Sequence, residues 1–389
     1  MARRRHRLER ADDSLAHNTL AHNTLTHNTL ADDMLTDRSL SHRPDLTGVT
    51  MTTASSHFPP LIDLTDPDAP AQLDAACREV GFFQVTGHGI PLEILEAVDA
   101  AAEDFFTQPL DEKMRWASHA PEVERGYTAK GTEGFAYSLG LEQPPDLLEA
   151  YTMGIEPLPD GPAYRTDAHH FFDPNIWPDQ PASLRAAMLA YYPEAQRVTH
   201  LITSKLALAL GLSEDFFEPY TDASTDTLRI NWFEGGPGEE ALPGQFGIGP
   251  HTDYGIISVL FNDQAKGLQV YTKDEVWADV VPVPGALVVN VGDLLSRWTN
   301  DEWRSTLHRV MPAQGTGGRR RSTPFFHEGN FDALVTCIPT CDTPENPAKY
   351  EPITGGDHVL AKLMAARLLE TADTMSTVGD RTAALTEPA

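Results

Sequence analysis

Cysteine, basic side chains and long apolar runs are all scarce in this chain of 389 residues. Its three cysteines (Cys77, Cys337 and Cys341) are too few for a disulfide scaffold, and no second pair completes a zinc site with the last two. No apolar stretch approaches the roughly 20 residues that span a bilayer, and no apolar segment follows the basic N-terminus as in a secretory signal. These absences favour a cytoplasmic protein with buried free thiols.

Acidic side chains outnumber basic ones. The chain has 29 Lys and Arg residues against 57 Asp and Glu residues, which gives a net charge of −28. A surface this acidic repels phosphate groups. We therefore expect no nucleic-acid or membrane partner, and we expect a monomer.

The first 56 residues differ in composition from the rest of the chain. Leucine recurs at every fifth position from Leu15 to Leu40, and His-Asn-Thr is repeated at His17, His22 and His27. A period of five matches neither a helix nor a strand, so no continuous apolar face forms. We predict a disordered, low-complexity extension over residues 1–56 rather than a histidine metal site. The protein itself starts at Met1 or at Met51.

The remaining sequence predicts helices and mixed structure first and a β core second. Helices are predicted at 93–106, 183–210 and 358–371, and a loop-rich segment at 125–160. Many short, closely spaced strands are typical of a β sandwich or barrel. The predicted strands of this core are 228–233, 255–261, 268–271, 277–281, 286–291, 306–310, 322–326 and 333–338.

These patterns predict a mainly β fold with flanking helices and four parts. Residues 1–56 form the extension, and residues 57–226 form a mixed, largely helical region. Residues 227–345 form the β core, and residues 346–389 form a C-terminal helix and a flexible tail.

Two histidines and one aspartate are candidate metal ligands. His251 and Asp253 are two residues apart, and such residues point to the same face of an extended segment. His308 lies 55 residues beyond Asp253. Two imidazoles and one carboxylate make up the facial triad of non-haem Fe(II) oxygenases, which leaves three metal positions open. The same set could also hold catalytic zinc.

Arg320 and Ser322 favour iron over zinc. They follow His308 by 12 and 14 residues and, being two apart in a predicted strand, they share a face. A guanidinium fork and a hydroxyl are the donors that hold the distal carboxylate of 2-oxoglutarate. Without the triad, the three arginines at 319–321 would be interpreted as a solvated hairpin.

In these residues and in further motifs, the chain resembles the isopenicillin N synthase-like family of 2-oxoglutarate- and Fe(II)-dependent oxygenases. The similarity runs from about Pro59 to about Leu369. It includes GFFQVTGHGI at 81–90, GLQV at 267–270, PGALVVNVGD at 284–293 and WTN at 298–300. His88 then belongs to a structural turn, Asp293 to another, and His327 is not expected to bind metal.

The resemblance implies a double-stranded β-helix (jelly roll) that uses Fe(II), 2-oxoglutarate and O₂, with ascorbate as an optional reductant. 2-Oxoglutarate would bind the metal through its C1 carboxylate and keto oxygen and leave as succinate. The substrate would be hydroxylated, desaturated or cyclised. We expect a small substrate of secondary metabolism, for example of antibiotic biosynthesis.

One position departs from the family pattern. Many relatives carry Asn-x-Tyr on the strand before His-x-Asp, and the tyrosine hydroxyl helps to hold the cosubstrate carboxylate. Here Asn231 could still reach the iron-bound end of the cosubstrate, but Phe233 cannot donate a hydrogen bond. Some members keep Arg-x-Ser without using 2-oxoglutarate, so the departure bears on the cosubstrate and not on iron.

Strand alternation suggests substrate contacts. Arg229, Asn231 and Phe233 face the same way in a regular strand, so Arg229 is a candidate partner for a substrate carboxylate. Pairing with an internal Asp or Glu is an equal alternative. Phe233 and Tyr137 are candidates for the pocket wall, against ordinary core packing. The same choice applies to Tyr127, Phe135, Trp232, Phe246 and Phe325.

Three other functions are compatible with the residue pattern. The first is an Fe(II) oxidase of the same fold that takes all four electrons from its substrate and forms no succinate. The second is a non-catalytic sandwich that binds a ligand and shows no Fe(II)-dependent O₂ uptake. The third is a zinc hydrolase, which is identified by the metal that restores activity.

Overall fold

The computed structural model describes residues 58–120, 123–158, 160, 171–235, 240–313 and 318–369. The predicted N-terminal extension lies outside these residues, as does the predicted tail beyond residue 369. The strands are β1 (Leu61–Asp63), β2 (Phe82–Thr86), β3 (Gly126–Thr128), β4 (Glu149–Gly154), β5 (Thr227–Glu234), β6 (Ile248–His251), β7 (Ile257–Asn262), β8 (Leu268–Tyr271), β9 (Trp277–Asp279), β10 (Leu287–Val291), β11 (His308–Val310), β12 (Arg319–His327), β13 (Leu334–Val335) and β14 (Ile353–Thr354).

The eight strands from β5 to β12 are divided between two sheets. The larger sheet has the order β1-β2-β10-β7-β12-β5-β4-β3, and the smaller has the order β6-β11-β8-β9. Along the chain, β5, β7, β10 and β12 enter the larger sheet, and the strands between them enter the smaller one. This alternation is a double-stranded β-helix, so the predicted jelly-roll core is confirmed.

The described residues contain six α-helices. They are α1 (Ala69–Glu79), α2 (Leu92–Phe106), α3 (Leu110–Met114), α4 (Ala182–Ala209), α5 (Asp293–Trp298) and α6 (Gly355–Leu368). α4 contacts α1, α2, β7 and β12. Within the described residues, no helix is long and apolar enough to cross a bilayer.

The sequence of α4 explains where it packs. Apolar side chains recur every three or four residues and are buried at Leu184, Met188, Tyr191, Ala195, Val198, Ile202 and Leu206. This spacing places them on one helical face, and burial of each large side chain contributes about 1.5–3 kcal/mol. Gly211, with a φ of 71°, follows the helix end and allows the chain to turn away.

The structure differs from the sequence prediction mainly between residues 125 and 160. This segment was predicted as loop, yet it contains β3, β4 and a 3₁₀ turn at Phe135–Leu139. β4 pairs along its length with β5. Because β4 is buried on both faces, its sequence lacks the apolar–polar alternation that marks a half-exposed strand. The predicted strand 333–338 is reduced to the two residues of β13.

Candidate metal centre

The two candidate histidines lie on neighbouring strands of the smaller sheet. His251 is the last residue of β6 and His308 the first of β11, and the two are direct partners in the strand register. Asp253 Oδ1 lies 3.7 Å from Nε2 of His251 and 3.6 Å from Nε2 of His308. One ligand atom from each residue lies within 4.8 Å of the others, and all three residues are buried. The structure therefore brings the three predicted ligands together.

Backbone carbonyls select the imidazole nitrogen that faces Asp253. His251 Nδ1 lies 2.8 Å from the Gly249 carbonyl oxygen, and His308 Nδ1 lies 3.1 Å from that of Thr306. A carbonyl only accepts, so Nδ1 is the donor in each ring, and Nε2 keeps its lone pair in the neutral form. Both lone pairs are thus available to a metal ion beside Asp253.

The charges within the cluster are coupled. Burial and the neighbouring His308 lower the pKa of His251 to about 3. Burial alone would raise the pKa of Asp253, but His308 holds it below its ordinary value. In turn, Asp253 outweighs burial and raises the pKa of His308. The cluster thus attracts a positive charge, which suits a divalent cation.

The second oxygen of Asp253 is held by two side chains that the sequence analysis did not identify. Asn290 Nδ2 donates to Asp253 Oδ2 over 2.7 Å, and the Ser258 hydroxyl donates to the same oxygen. Asn290 and Ser258 are register partners on β10 and β7. They leave Oδ1 to face the two histidines.

Asn290→Ala is expected to weaken Fe(II) binding by about 10–100-fold, because partners that orient a ligating carboxylate typically contribute that much to metal affinity. Anaerobic titration with Fe(II) measures the change. Asn330→Ala is a matched control, since Asn330 is also a buried amide but bonds to Asp222 and Ala223. Equal Fe(II) affinity in the Asn290 variant and the wild type would contradict this role.

Asp293, His88 and His327 have structural partners. Asp293 begins α5, accepts a 2.9 Å bond from the Thr252 hydroxyl and forms an ion pair with Lys362 of α6. His88 Nε2 lies 2.9 Å from the Gly285 carbonyl oxygen. His327 pairs with the buried Asp226.

Arg320 and Ser322 face the same cavity as the three candidate ligands. We call it the metal cavity. Arg320 Nη1 lies 3.3 Å from the Ser322 hydroxyl, and Arg320 Nε has no hydrogen-bond partner among the described residues. Burial lowers the pKa of Arg320 to about 10, so it remains charged at neutral pH. A buried cation with no acidic partner in the described chain suits an incoming carboxylate.

The substrate candidates occupy different positions. Asn231 lines the metal cavity. Phe233 places its ring 5.0 Å from the Arg320 guanidinium and offers no hydrogen-bond donor there. A second cavity adjoins the metal cavity. Tyr137 lies in the 3₁₀ turn and lines neither cavity, whereas Phe135 of the same turn lines both.

Arg229 has acidic partners inside the protein. Its guanidinium forms ion pairs with Glu133 and, over 3.3 Å, with Glu124, and its Nε donates to Asn231 Oδ1 over 2.9 Å. Of the two alternatives for this residue, the structure contains the internal pairing. Neither glutamate was identified from the sequence, because they lie 96 and 105 residues away.

Arg229→Ala is expected to lower the free energy of unfolding by about 3–5 kcal/mol, because it breaks a buried ion pair and leaves two carboxylates to share Arg367. Urea denaturation measures this loss. In the control Arg115→Ala, which removes an exposed ion pair with Glu112, the change should stay below about 1 kcal/mol. A similarly small loss for Arg229→Ala would show that the internal pairs contribute little.

Two family models match the chain in tandem. Residues 59–180 match the N-terminal region of the non-haem dioxygenase in morphine synthesis, and residues 224–329 match the 2OG-Fe(II) oxygenase superfamily. The second match contains His251, Asp253, His308, Arg320 and Ser322. The match to these models thus includes every predicted metal ligand.

Curated proteins and solved structures show the same similarity. The 2-oxoglutarate-Fe(II) type oxidoreductase hxnY of Emericella nidulans is 36% identical over 77% of this chain and 88% of its own length. The azadirone synthase LFS of Melia azedarach is 37% identical over 77% of this chain and 90% of its own length. A full-length Neurospora crassa protein, crystallised with alpha-KG and thymine, has a TM-score of 0.68 and 28% identity, and the match covers 79% of this chain and 96% of that one.

Proposed function

Because this chain belongs to the isopenicillin N synthase-like family of 2-oxoglutarate- and Fe(II)-dependent oxygenases, we propose that the His251–Asp253–His308 cluster is its reaction centre. The enzyme oxidises a small organic substrate at the expense of O₂ and 2-oxoglutarate. One observation supports the assignment of the site. Three potential ligand atoms lie within 4.8 Å of one another, and the cavity that contains them is also lined by the buried Arg320.

The two histidines and Asp253 would hold Fe(II) from one side. Nε2 of each imidazole and Oδ1 of the carboxylate are the atoms left free by the surrounding hydrogen bonds. When bound there, Fe(II) with 2-oxoglutarate supplies the O₂-dependent oxidation of an unreactive C–H bond, with release of succinate and CO₂.

Arg320 and Ser322 would bind the distal carboxylate of 2-oxoglutarate. A guanidinium and a hydroxyl can donate to it together, and the low polarity around Arg320 strengthens the ion pair. Asn231 lies in the same cavity and is our candidate for the metal-bound end of the cosubstrate. Phe233 gives Arg320 an aromatic face in place of the tyrosine hydroxyl found in many relatives.

The walls of the metal cavity would keep water away from the reacting atoms. Phe82 packs edge-on against the His308 ring at a centroid distance of 5.1 Å, and Phe135 lies 4.9 Å from the His251 ring. Ile248, Leu268 and Val310 complete the apolar lining on the smaller sheet. Exclusion of water protects a reactive oxidant from side reactions.

We further propose that the enzyme acts as a monomer in the cytoplasm, in secondary metabolism such as antibiotic biosynthesis. The net charge of −28 supports the absence of nucleic-acid and membrane partners. We keep the proposed division into residues 1–56, 57–226, 227–345 and 346–389. The start of β5 at Thr227 supports the boundary before the β core.

A substrate screen with the purified protein, Fe(II) and 2-oxoglutarate tests this function. We expect succinate and oxidised product to form in equal amounts, and neither to form without Fe(II). Product without succinate would identify a same-fold oxidase. Absence of Fe(II)-dependent O₂ uptake with every candidate would favour a ligand-binding protein, and activity restored by Zn(II) alone would indicate a hydrolase.

A further inference from the structure

A buried carboxylate, Glu328, lies in the wall of the second cavity. This cavity shares Phe135, Arg229, Asp253 and Phe326 with the metal cavity. Glu328 comes directly after β12, and its carboxylate packs so closely against Gly255 that a side chain there would collide with it. A molecule in this cavity would therefore contact both Glu328 and the metal-binding aspartate.

No described side chain neutralises the Glu328 carboxylate. Its Oε2 is buried without a hydrogen-bond partner, and its backbone N–H donates to Asp226 Oδ1 over 3.0 Å. The charged groups that act on it most strongly are the carboxylates of Asp226, Glu124 and Asp253. These neighbours add to the negative potential around Glu328 instead of relieving it.

Arg229 and Arg367, the cations that contact Glu124 in this region, are already paired with two other carboxylates. Arg229 forms ion pairs with Glu124 and Glu133, and Arg367 lies 3.5 Å from each of the same two acids. Two guanidinium groups thus balance two carboxylates. Glu328 is left as an unmatched acid in the described part of the cavity.

An unmatched buried carboxyl group can avoid the cost of its charge in two ways. It can keep its proton, and burial does raise the pKa of Glu328 well above its ordinary value. It can also ionise when a cation enters the cavity and forms an ion pair with it. The second outcome requires a ligand that brings its own positive charge.

We propose that Glu328 binds a protonated nitrogen of the substrate, so that the substrate is an amine, amidine or guanidine with an apolar body. The inference rests on the proposed function, since it concerns the substrate of the same reaction centre. Phe171, Val359 and Leu363 provide apolar walls for that body. A substrate carboxylate is disfavoured here, because Arg229 already forms ion pairs with Glu124 and Glu133.

Three probes with one carbon skeleton and different charges test the proposal. Cyclohexylmethylamine is cationic, cyclohexylmethanol is neutral and cyclohexanecarboxylate is anionic at neutral pH. Binding to the full-length protein with Fe(II) and 2-oxoglutarate is measured by calorimetry without O₂. We expect the amine to bind at least about tenfold more tightly than the other two. Equal or weaker binding of the amine, or no binding up to about 10 mM, overturns the proposal.

Glu328→Gln separates recognition from a structural role, because it keeps the shape of the side chain and removes the charge. We expect the preference for the amine to fall to about onefold, with unchanged binding of the alcohol and no loss of thermal stability. Glu328→Asp keeps the charge with a shorter reach and should retain part of the preference. A lower Tm together with an intact preference in Glu328→Gln would assign Glu328 a structural role and overturn the proposal.

Binding of 2-oxoglutarate in the same samples separates this inference from the proposed function. If Fe(II) and 2-oxoglutarate bind normally and the preference for the amine is absent, the substrate inference alone fails. If neither Fe(II) nor 2-oxoglutarate binds, the proposed function fails as well.

Discussion

His308→Ala is expected to lower turnover by more than about 100-fold, together with a loss of Fe(II) from the purified protein. A partner that merely orients a ligand already contributes 10–100-fold to metal affinity, and His308 is one of only three protein ligands that we propose. Its Nε2 lies 3.6 Å from Asp253 Oδ1, so its removal opens one side of the cluster. Colorimetric iron analysis and succinate formation measure the two effects.

The neighbouring Arg309 provides a matched control on the same strand. Arg309 stacks 4.0 Å from the Trp277 ring and bonds to Gln269, and it does not line the metal cavity. Arg309→Ala should therefore keep its iron and most of its activity. If His308→Ala bound Fe(II) as tightly as the wild type, the proposed ligand set would be wrong.

Local patterns in the sequence were sufficient to find the proposed metal ligands. His251 and Asp253 were found because residues two apart in extended backbone point to one face. His308 and Arg320 followed from the motifs around them. Such signals need no knowledge of how distant segments pack. Many short strands in succession likewise predicted a β sandwich or barrel, whereas the jelly roll itself was implied by the family resemblance.

The partners of those residues had no local signal. Asn290 and Ser258 meet only because β10 and β7 pair in one particular register. Of the two acidic partners of Arg229, Glu133 lies just before the 3₁₀ turn in the segment predicted as loop, and Glu124 immediately precedes that segment. A shift of a single residue in strand register would turn each side chain to the other face. These contacts therefore depend on tertiary packing, which periodicity alone does not specify.

Glu328 illustrates the same limit for the substrate side of the centre. It follows the motif strand that carries Arg320 and Ser322, so its position near the site could have been noticed. Its lack of a partner could not, because that depends on how Arg229 and Arg367 are shared between Glu124 and Glu133. Whether a buried carboxyl group has a neutralising partner depends on all the charged side chains around the cavity.

Arg320→Leu is expected to raise the KM for 2-oxoglutarate by about 30-fold or more. Loss of one partner from a buried, hydrogen-bonded charge pair costs about 2–5 kcal/mol, and each 1.4 kcal/mol is a factor of ten. Arg320 would contact the end of the cosubstrate that does not react. We therefore expect kcat at saturating 2-oxoglutarate and the iron content to change much less than KM.

Two further variants, Arg319→Leu and Arg320→Lys, serve as controls for this experiment. Arg319 is the preceding residue of β12 but is exposed and pairs with Glu103 and Glu234, so Arg319→Leu should change the KM by less than about threefold. Arg320→Lys keeps the charge and loses the planar fork, and its KM should lie between those of the wild type and Arg320→Leu. An unchanged KM in Arg320→Leu would mean that another group holds the cosubstrate carboxylate. That outcome would not affect the proposed metal ligands, but it would contradict the proposed role of the buried Arg320 in binding 2-oxoglutarate.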